Sequence, residues 1–264
     1  MEVLVADGNP FRLDDRVAVI TGGGTGVGAA TAMLFAEHGA DVVLAARHAD
    51  ELERVADAVG QRTGRRALPV VTDVRSDGDI TRLVDRVSTE LGRVDVLVNN
   101  AGGTSTARLA EASTASIDKV IGLNLRGPTI LTREVGKLMM RQRSGTIVNV
   151  SSNAGVVGMK GGAAYSSAKA GLQMLTRVAA AEFGPYGIRV NCVALGPIAS
   201  ERVIKAWQTA ALDEDALAAR LPLRRVGLPV EVARCILFLA SPASSYVTGQ
   251  TLNCDGGPVM GGLD

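Results

Sequence analysis

Two side chains able to hold and exchange a proton stand four residues apart in the segment YSSAK: the phenol of Tyr165 and the ammonium of Lys169. Residues i and i+4 share a helix face, so the two polar ends can meet. A free phenol has a pKa of about 10. It exchanges a proton with an alcohol or carbonyl near neutrality only when its anion is stabilised, and a lysine cation one turn along can stabilise it. The same five residues also suit a tyrosine packed on a lysine stem at a surface. The rest of the chain has to decide between these readings.

A second group with chemical potential is TGGGTGVG, Thr21–Gly28. Gly22, Gly24, Thr25, Gly26, Val27 and Gly28 follow an apolar run and open a helical pattern. Glycines let the backbone approach a pyrophosphate, and a helix N-terminus offers oriented N–H groups and positive potential. The spacing differs from G-x-G-x-x-G, and a tight turn would use the same residues. At the end of the next apolar run, where an acid would hold the ribose hydroxyls of NAD(H), the chain has Ala46 and Arg47. A guanidinium there can bind a 2′-phosphate, so the cofactor expected is NADP(H) rather than NAD(H), although a solvated loop arginine would look the same. NNAGG (Asn99–Gly103) and SSNAG (Ser151–Gly155) set small polar groups at the ends of two further runs, as ordinary turns also do. Asn124, in GLNLRG, is a poor helix former inside a helical pattern, which marks a bend or a buried polar bond. His38 and His48 are the only histidines and sit in no catalytic setting; no cluster suggests a metal.

The elements that must position these groups alternate. Strands are expected at Arg16–Thr21, Asp41–Ala46, Ala67–Val74, Val94–Asn100, Gly145–Ser152, Ile188–Leu195 and Gln250–Asp255. Helices are expected at Val27–His38, Asp50–Thr63, from Ser76 to about Leu91, from Ser113 to about Met140, at Tyr165–Phe183, irregularly over Ser200–Arg220, and from Pro229 to Leu239. Ser76 is the expected N-cap of the third, with Asp79 completing a capping-box variant. Apolar strands between helices mean a parallel sheet covered on both faces, a doubly wound α/β fold of about seven strands. Ligands bind such sheets at the carboxyl ends of the strands. No linker, repeat or low-complexity run divides the 264 residues, so one domain over 1–264 is expected.

Composition narrows the classes of function. Apolar residues make up 47% and aromatics 3%, so alanine, valine, leucine and glycine carry the packing. A net charge of +1 gives no electrostatic case for nucleic acid or an acidic membrane. Cys192, Cys235 and Cys254 are far apart, odd in number and without metal-ligand spacing, and buried free thiols in a reducing compartment are expected. The N-terminus has no leader pattern, and no apolar run reaches the length of about 18 residues that spans a membrane. The cytosol is the expected location.

Taken in order, these motifs resemble the short-chain dehydrogenase/reductase family, from about Leu13 to Gly257. The family's T-G-x-x-x-G-x-G matches Thr21–Gly28, its acid near the adenine matches Asp73, and its N-N-A-G matches Asn99–Gly102. Its tetrad of Asn, Ser, Tyr and Lys falls on Asn124, Ser152, Tyr165 and Lys169; Ser152 rather than Ser151 has the usual offset from the tyrosine. The resemblance implies Tyr165 as proton donor, Lys169 bonded to the nicotinamide ribose, Ser152 on the substrate oxygen, and Asn124 holding a water that links Lys169 to solvent. It also implies cofactor contacts from Asp73, Val74, Asn100, Ala101, Gly102, Tyr165, Lys169, Pro197, Ile198 and Ser200. Leu195 stands where proline is usual, so a slightly altered cofactor loop is expected. Thr25 occupies a position often basic in NADP-dependent members, which leaves Arg47 to carry that preference.

Residues 199–228 form an insertion expected to lie over the site as a lid, with Val203, Ile204 and Trp207 on its apolar side, unless these simply pack on the body. An apolar lid favours a medium-sized hydrophobic carbonyl or secondary alcohol. The C-terminal motifs are similar to those of 3-oxoacyl carrier-protein reductases and of hydroxysteroid dehydrogenases. A non-catalytic nucleotide sensor on the same fold would have no need of the Tyr165–Lys169 pair; a methyltransferase would explain the glycines but not YSSAK. The small residues Ala168, Ala170, Gly171, Ala179, Ala180 and Ala181 along one helix suggest two buried faces, one on the sheet and one on another subunit. The resemblance implies a homotetramer.

Overall fold

A computed structural model describes residues 8–209 and 212–257. The N-terminal segment read for a leader runs into residues 1–7, which, like residues 258–264, lie outside the described residues. Seven strands, β1 (Val17–Thr21), β2 (Asp41–Ala46), β3 (Ala67–Val71), β4 (Val96–Asn99), β5 (Gly145–Ser152), β6 (Ile188–Leu195) and β7 (Thr251–Cys254), form one sheet in the order β3-β2-β1-β4-β5-β6-β7. Every pairing is parallel. The helices are α1 (Gly26–Glu37), α2 (Ala49–Thr63), α3 (Asp77–Leu91), α4 (Thr114–Ile121), α5 (Gly127–Gln142), α6 (Ala154–Val157), α7 (Ala163–Phe183), α8 (Glu201–Thr209), α9 (Glu214–Ala219) and α10 (Pro229–Ala240).

The period of two along a strand separates the two cores. From β1, Ala18 and Ile20 join Phe35 of α1 and Ile236 of α10 on one face. Val17 and Val19 join Leu83 of α3, Leu131 of α5 and Ala180 of α7 on the other. Strands with both faces covered are apolar throughout, which is why β1 is buried at all five positions. Phe35 is fully buried, a contribution of about 1.5–3 kcal/mol for a side chain of this kind.

Strand order reverses between β1 and β4, so their carboxyl ends diverge and leave a crevice. The glycine-rich segment leaves β1 there, and Asn99 and Asn100 end β4 beside it.

Three local expectations change. The long helix expected from Ser113 is broken into α4, a π-turn at Gly122–Arg126, and α5. Pro128 lacks an N–H and suits only the first turn of a helix, and two glycines flank Asn124 in the break. The capping box at Ser76 is half made. Ser76 Oγ accepts from Asp79 N at 3.2 Å, but the Asp79 carboxylate accepts from Ser76 Oγ at 2.9 Å and from Asp73 N at 2.9 Å rather than from the Ser76 backbone N–H, which donates to Asp73 O. Only Cys192 is a buried thiol; Cys235 and Cys254 are partly buried at the edge of one apolar cluster, where α10 packs on β7.

Candidate active site

The crevice is built on one threonine. Thr21 Oγ1, at the end of β1, accepts from the backbone N–H groups of Asn100 (3.0 Å) and Ala101 (2.9 Å) and donates to Val98 O (3.3 Å). Asn100 Nδ2 returns a bond to Thr21 O at 2.8 Å. The ends of β1 and β4 are thus clipped together, and the glycine-rich turn is held against them. A Cβ on Gly28 would stand 2.0 Å from Gly22 O and 2.7 Å from Asn100 Nδ2, so no side chain fits. Gly22 has φ +66°, a left-handed conformation that glycine adopts without steric cost.

Above this floor α1 begins at Gly26, with Thr25 as N-cap. The Thr25 side chain makes no capping bond, and the first turn carries no acid. The first N–H groups of α1 therefore face the crevice without intrahelical partners, beside a positive helix end. This is a cradle for an anion against bare backbone, and it fits the pyrophosphate of a dinucleotide. Ser200 closes one side: its Cβ stands 3.1 Å from where a Cβ on Gly26 would be, and its Oγ accepts from Val203 N at 3.4 Å to start α8. Pro197 and Ile198 run between. Pro197 O accepts from Gly227 N at 3.0 Å, and Ile198 is buried in the core. Gly24 lies over Glu51, whose Cβ would be 2.9 Å from an added Cβ.

Arg47 follows β2 and is exposed. It is close enough to Asp73 to favour that carboxylate's charged form. Asp73 does not offer a free carboxylate, however. The Arg75 guanidinium holds it, with Nε at 3.0 and 3.1 Å from its oxygens, and keeps its pKa below the ordinary range. Val74 is buried in the core, so only its backbone faces the crevice region.

The four tetrad residues come from three elements, with Tyr165 and Lys169 together on α7. Asn124 sits fully buried in the π-turn. Its Nδ2 donates to Val120 O and to Gly103 O, each at 2.8 Å, and its Oδ1 accepts from Gly103 N at 3.2 Å. The bend expected of this asparagine is therefore also a buried polar clamp on the loop that follows β4 at Gly103. Lys169, on α7, is 3% exposed, and its Nζ donates to Val150 O at 2.8 Å. Both side chains aim at Gly102: a Cβ there would stand 3.0 Å from Asn124 Oδ1 and 3.2 Å from Lys169 Nζ. Ser152, at the end of β5, donates weakly to Leu195 O and Asn153 Oδ1, each at 3.4 Å, and accepts from Ala154 N at 3.1 Å. Its hydroxyl is near enough to the Tyr165 phenol to favour the phenolate in part.

Electrostatics here differ from the simple expectation. Burial raises the Tyr165 pKa, and the Ser152 hydroxyl only partly opposes it. Burial lowers Lys169 to about 8. The Lys169 Nζ lies 5.6 Å from the Tyr165 ring centroid. In the protein alone, desolvation of the phenol outweighs the stabilising groups around it, so Tyr165 is held in its protonated form.

Sequence reasoning missed a layer behind the tetrad. Asn99 Nδ2 donates to Asn149 Oδ1 (2.8 Å) and Thr132 Oγ1 (3.1 Å), and Asn149 Nδ2 donates to Thr176 Oγ1 (2.9 Å). Gln173 Nε2 bonds Ser151 Oγ and Ser152 O, and Ser151 Oγ donates to Lys169 O at 2.9 Å. These bonds tie β4, β5, α5 and α7 together directly under the site. An asparagine inside the β-branched run of β5 was the available signal, since asparagine is depleted in strands.

A family model described as Enoyl-(Acyl carrier protein) reductase matches residues 22–258. The chain is 42% identical over 257 residues to 3-oxoacyl-(acyl-carrier-protein) reductase FabG of Thermotoga maritima, covering 95% of this chain and all of that protein. It is 43% identical over 249 residues to cis-4-hydroxycyclohexanecarboxylate dehydrogenase of Sinomonas cyclohexanicum, covering 92% and 96%. Among solved structures, L-sorbose reductase from Gluconobacter frateurii, complexed with NADPH and L-sorbose, superposes with a TM-score of 0.91 at 31% identity, covering 94% of this chain and 98% of that one.

Proposed function

Because the chain belongs to the short-chain dehydrogenase/reductase family and is an oxidoreductase of CH–OH or carbonyl groups, we propose that it transfers a hydride between NADP(H) and a carbonyl or secondary alcohol on a medium-sized apolar substrate, such as a 3-oxoacyl thioester or a hydroxysteroid. Asn124, Ser152, Tyr165 and Lys169 are its catalytic residues. The observation that carries this reading is the convergence of Asn124 Oδ1 and Lys169 Nζ at Gly102, with Nζ 5.6 Å from the ring of Tyr165 one helical turn before it. A nucleotide sensor has no use for such a cluster.

When bound, the nicotinamide supplies the hydride chemistry. The protein's part is to hold the oxygen and move the proton. Ser152 holds the substrate oxygen as its charge changes. Tyr165 gives that oxygen a proton in reduction and takes it back in oxidation. The Lys169 cation stabilises the phenolate that reduction leaves behind. Asn124 sits where Lys169 can be resupplied with a proton from the Gly102–Gly103 side. Gly22, Gly24, Thr25, Gly26, Val27 and Gly28 hold the pyrophosphate; Asn100, Ala101, Gly102, Pro197, Ile198 and Ser200 flank the rest of the dinucleotide. Asp73 and Val74 border the adenine, Asp73 doing so as an Arg75-bound carboxylate.

Preference for NADP(H) rests on Arg47, exposed, with no ion pair of its own among the described residues and no acid at the end of β2. The apolar substrate rests on what surrounds the mouth. Leu109, Val156 and Val157 are all more than half exposed, and Val203, Ile204 and Trp207 lie half-buried on α8. No residue of α8 or α9 is buried, which suits residues 199–228 acting as a lid that seats on substrate. A homotetramer fits the apolar outer stripe of α7, and a cytosolic location fits three free thiols. Among the described residues no helix is long and apolar enough to cross a membrane.

Fluorescence titration with NADPH and NADH, followed by a spectrophotometric panel of ketones and secondary alcohols of graded size, tests the reading. Tighter NADPH binding and turnover of apolar ketones are expected. Nucleotide binding without turnover of any member would overturn the catalytic assignment.

A further inference from the structure

We propose, resting on the tetrad reading above, that Gln173 is a positioning residue for the reaction: its carboxamide fixes the end of β5, and with it the Ser152 hydroxyl, against the part of α7 that carries Tyr165 and Lys169. Gln173 follows Lys169 by four residues and Tyr165 by eight, so the three share one face of the helix. Its Nε2 donates to Ser152 O at 3.2 Å and to Ser151 Oγ at 3.1 Å. A primary amide nitrogen carries two hydrogens, and both are used on this strand end.

The register of the sheet explains why β5 needs such an anchor. β4 pairs with β5 only as far as Asn99 opposite Asn149, whereas β6 runs on to Leu195 opposite Ser152. Beyond Asn149 one edge of β5 is therefore without a strand. Backbone groups two residues apart leave a strand by the same edge. Asn153 N turns toward β6, where it donates to Leu195 O at 2.8 Å. The carbonyls of Val150 and Ser152 lie on the other edge, the one that β4 has left. Val150 O accepts from Lys169 Nζ at 2.8 Å, and Ser152 O accepts from Gln173 Nε2. Four helical residues rise about 6 Å and two strand residues span about 6.6 Å, so side chains at i and i+4 of α7 match carbonyls at i and i+2 of β5. Lys169 and Gln173 stand in for the missing strand.

The two anchors differ in what the reaction asks of them. Lys169 stabilises the phenolate, so its bond to Val150 O is shared with that task. Gln173 carries no charge and takes no part in the proton transfer, so its bonds persist through the cycle. Ser151 Oγ, itself buried, passes the tie on to Lys169 O at 2.9 Å and closes a ring from the strand end back to the helix. Little room is left: a Cβ on Gly155 would stand 2.7 Å from Ala170 N and 3.0 Å from Gln173 Nε2. Without the carboxamide, the carbonyl of the buried Ser152 loses this donor, and an unpaired buried carbonyl is costly. The strand end must turn to find another partner, and the Ser152 hydroxyl turns with it.

Steady-state kinetics of Gln173→Met and Ser152→Ala, singly and together, tests the role. Methionine keeps the length of the side chain and removes both donors. Gln173→Met should lower kcat for ketone reduction by roughly tenfold, the order of one buried hydrogen bond, and leave NADPH affinity by fluorescence little changed. In the Ser152→Ala background the same change should cost almost nothing, because a residue that acts through Ser152 then has no hydroxyl to place. Gln173→Glu gives a second readout. Its carboxylate cannot donate to Ser152 O, whereas its protonated form can. Burial against a carbonyl raises a carboxyl above its ordinary value of about 4.3, so kcat of Gln173→Glu relative to Gln173→Met should rise as pH falls from about 8 to 5. An unchanged kcat in folded Gln173→Met, an equal loss in both backgrounds, or a ratio flat with pH would overturn the positioning role and leave the tetrad standing. Full turnover in Ser152→Ala would instead remove the tetrad reading and this role with it.

Discussion

Lys169 donates a hydrogen bond to the Val150 carbonyl at 2.8 Å from a position 3% exposed, so its ammonium is held by a neutral group inside the sheet-facing side of α7. A cation buried against a carbonyl is easier to discharge than one in water, and its pKa falls to about 8. The proposed carbonyl reduction needs Tyr165 protonated and Lys169 charged. Lys169 is charged below this value and neutral above it, so kcat/KM for reduction should be flat at neutral pH and decline above about pH 8. In Lys169→Arg the guanidinium keeps its charge throughout, and the decline should move upward even though activity is lower. A decline that stays near 8 in that variant belongs to another group.

Tyr165→Phe removes the exchangeable proton and little else, because the ring keeps its place on α7. Turnover should fall at least about a hundredfold, the usual worth of a positioned acid–base group. NADPH affinity by fluorescence should change little. Residual activity above about a tenth of wild type would move the proton-donor role elsewhere.

Gly28→Ala places a methyl 2.0 Å from Gly22 O, a backbone atom that cannot rotate away. The turn must open, which separates the ends of β1 and β4 at the Thr21–Asn100 clip. A loss of about 2 kcal/mol is expected for such a backbone clash, or roughly 4–8 °C in Tm for a chain of this size. Nucleotide affinity should fall with it. Unchanged NADPH binding in the folded variant would show that the pyrophosphate sits away from this turn.

Arg47→Asp replaces the cation after β2 with the acid that a ribose diol would want. The ratio of kcat/KM for NADPH to that for NADH should drop by about tenfold or more, since each charge-assisted bond to a phosphate is worth roughly 1.5–3 kcal/mol. The wild-type enzyme preferring NADH would refute the role given to Arg47.

Much of this was legible because the signals are local. β-branched runs buried on both sides read as strands, and a glycine-rich turn at the end of the first of them marks the crevice. Asn124 stood out since asparagine disfavours the helix interior, and it proved to be the centre of the π-turn. Contacts between residues far apart in sequence left no such trace. The Asn99–Asn149–Thr176 layer joins three elements through side chains whose types only hint at burial. The packing of Cys235 and Cys254 on one apolar cluster depends on how α10 crosses the sheet edge, which periodicity does not encode. Asp79 was misread for a related reason: a carboxylate three residues past a cap has two N–H groups in reach, and the strand-end loop at Asp73 takes it.

The outer face of α7 carries the last prediction. Ser167, Ala170, Met174, Arg177, Val178 and Ala181 form one exposed stripe at helical spacing, and Met174 and Val178 are 54% and 47% exposed. The opposite face, with Leu172, Thr176 and Ala180, is already buried on the sheet. A long helix with apolar groups on both faces is stable in a closed assembly that covers the second one, and small residues there let two helices approach closely. Two-fold contact through α7 gives each subunit the same patch to bury, and a second two-fold axis completes a tetramer. Because α7 also carries Tyr165 and Lys169, such contact would brace the catalytic turn from behind. Wild-type protein should run as a tetramer by light scattering after size exclusion at micromolar concentration. Met174→Glu combined with Val178→Glu should place like charges across the axis and yield smaller species with lowered turnover. A monomeric wild type with full activity would remove the assembly from the account and leave the tetrad chemistry intact.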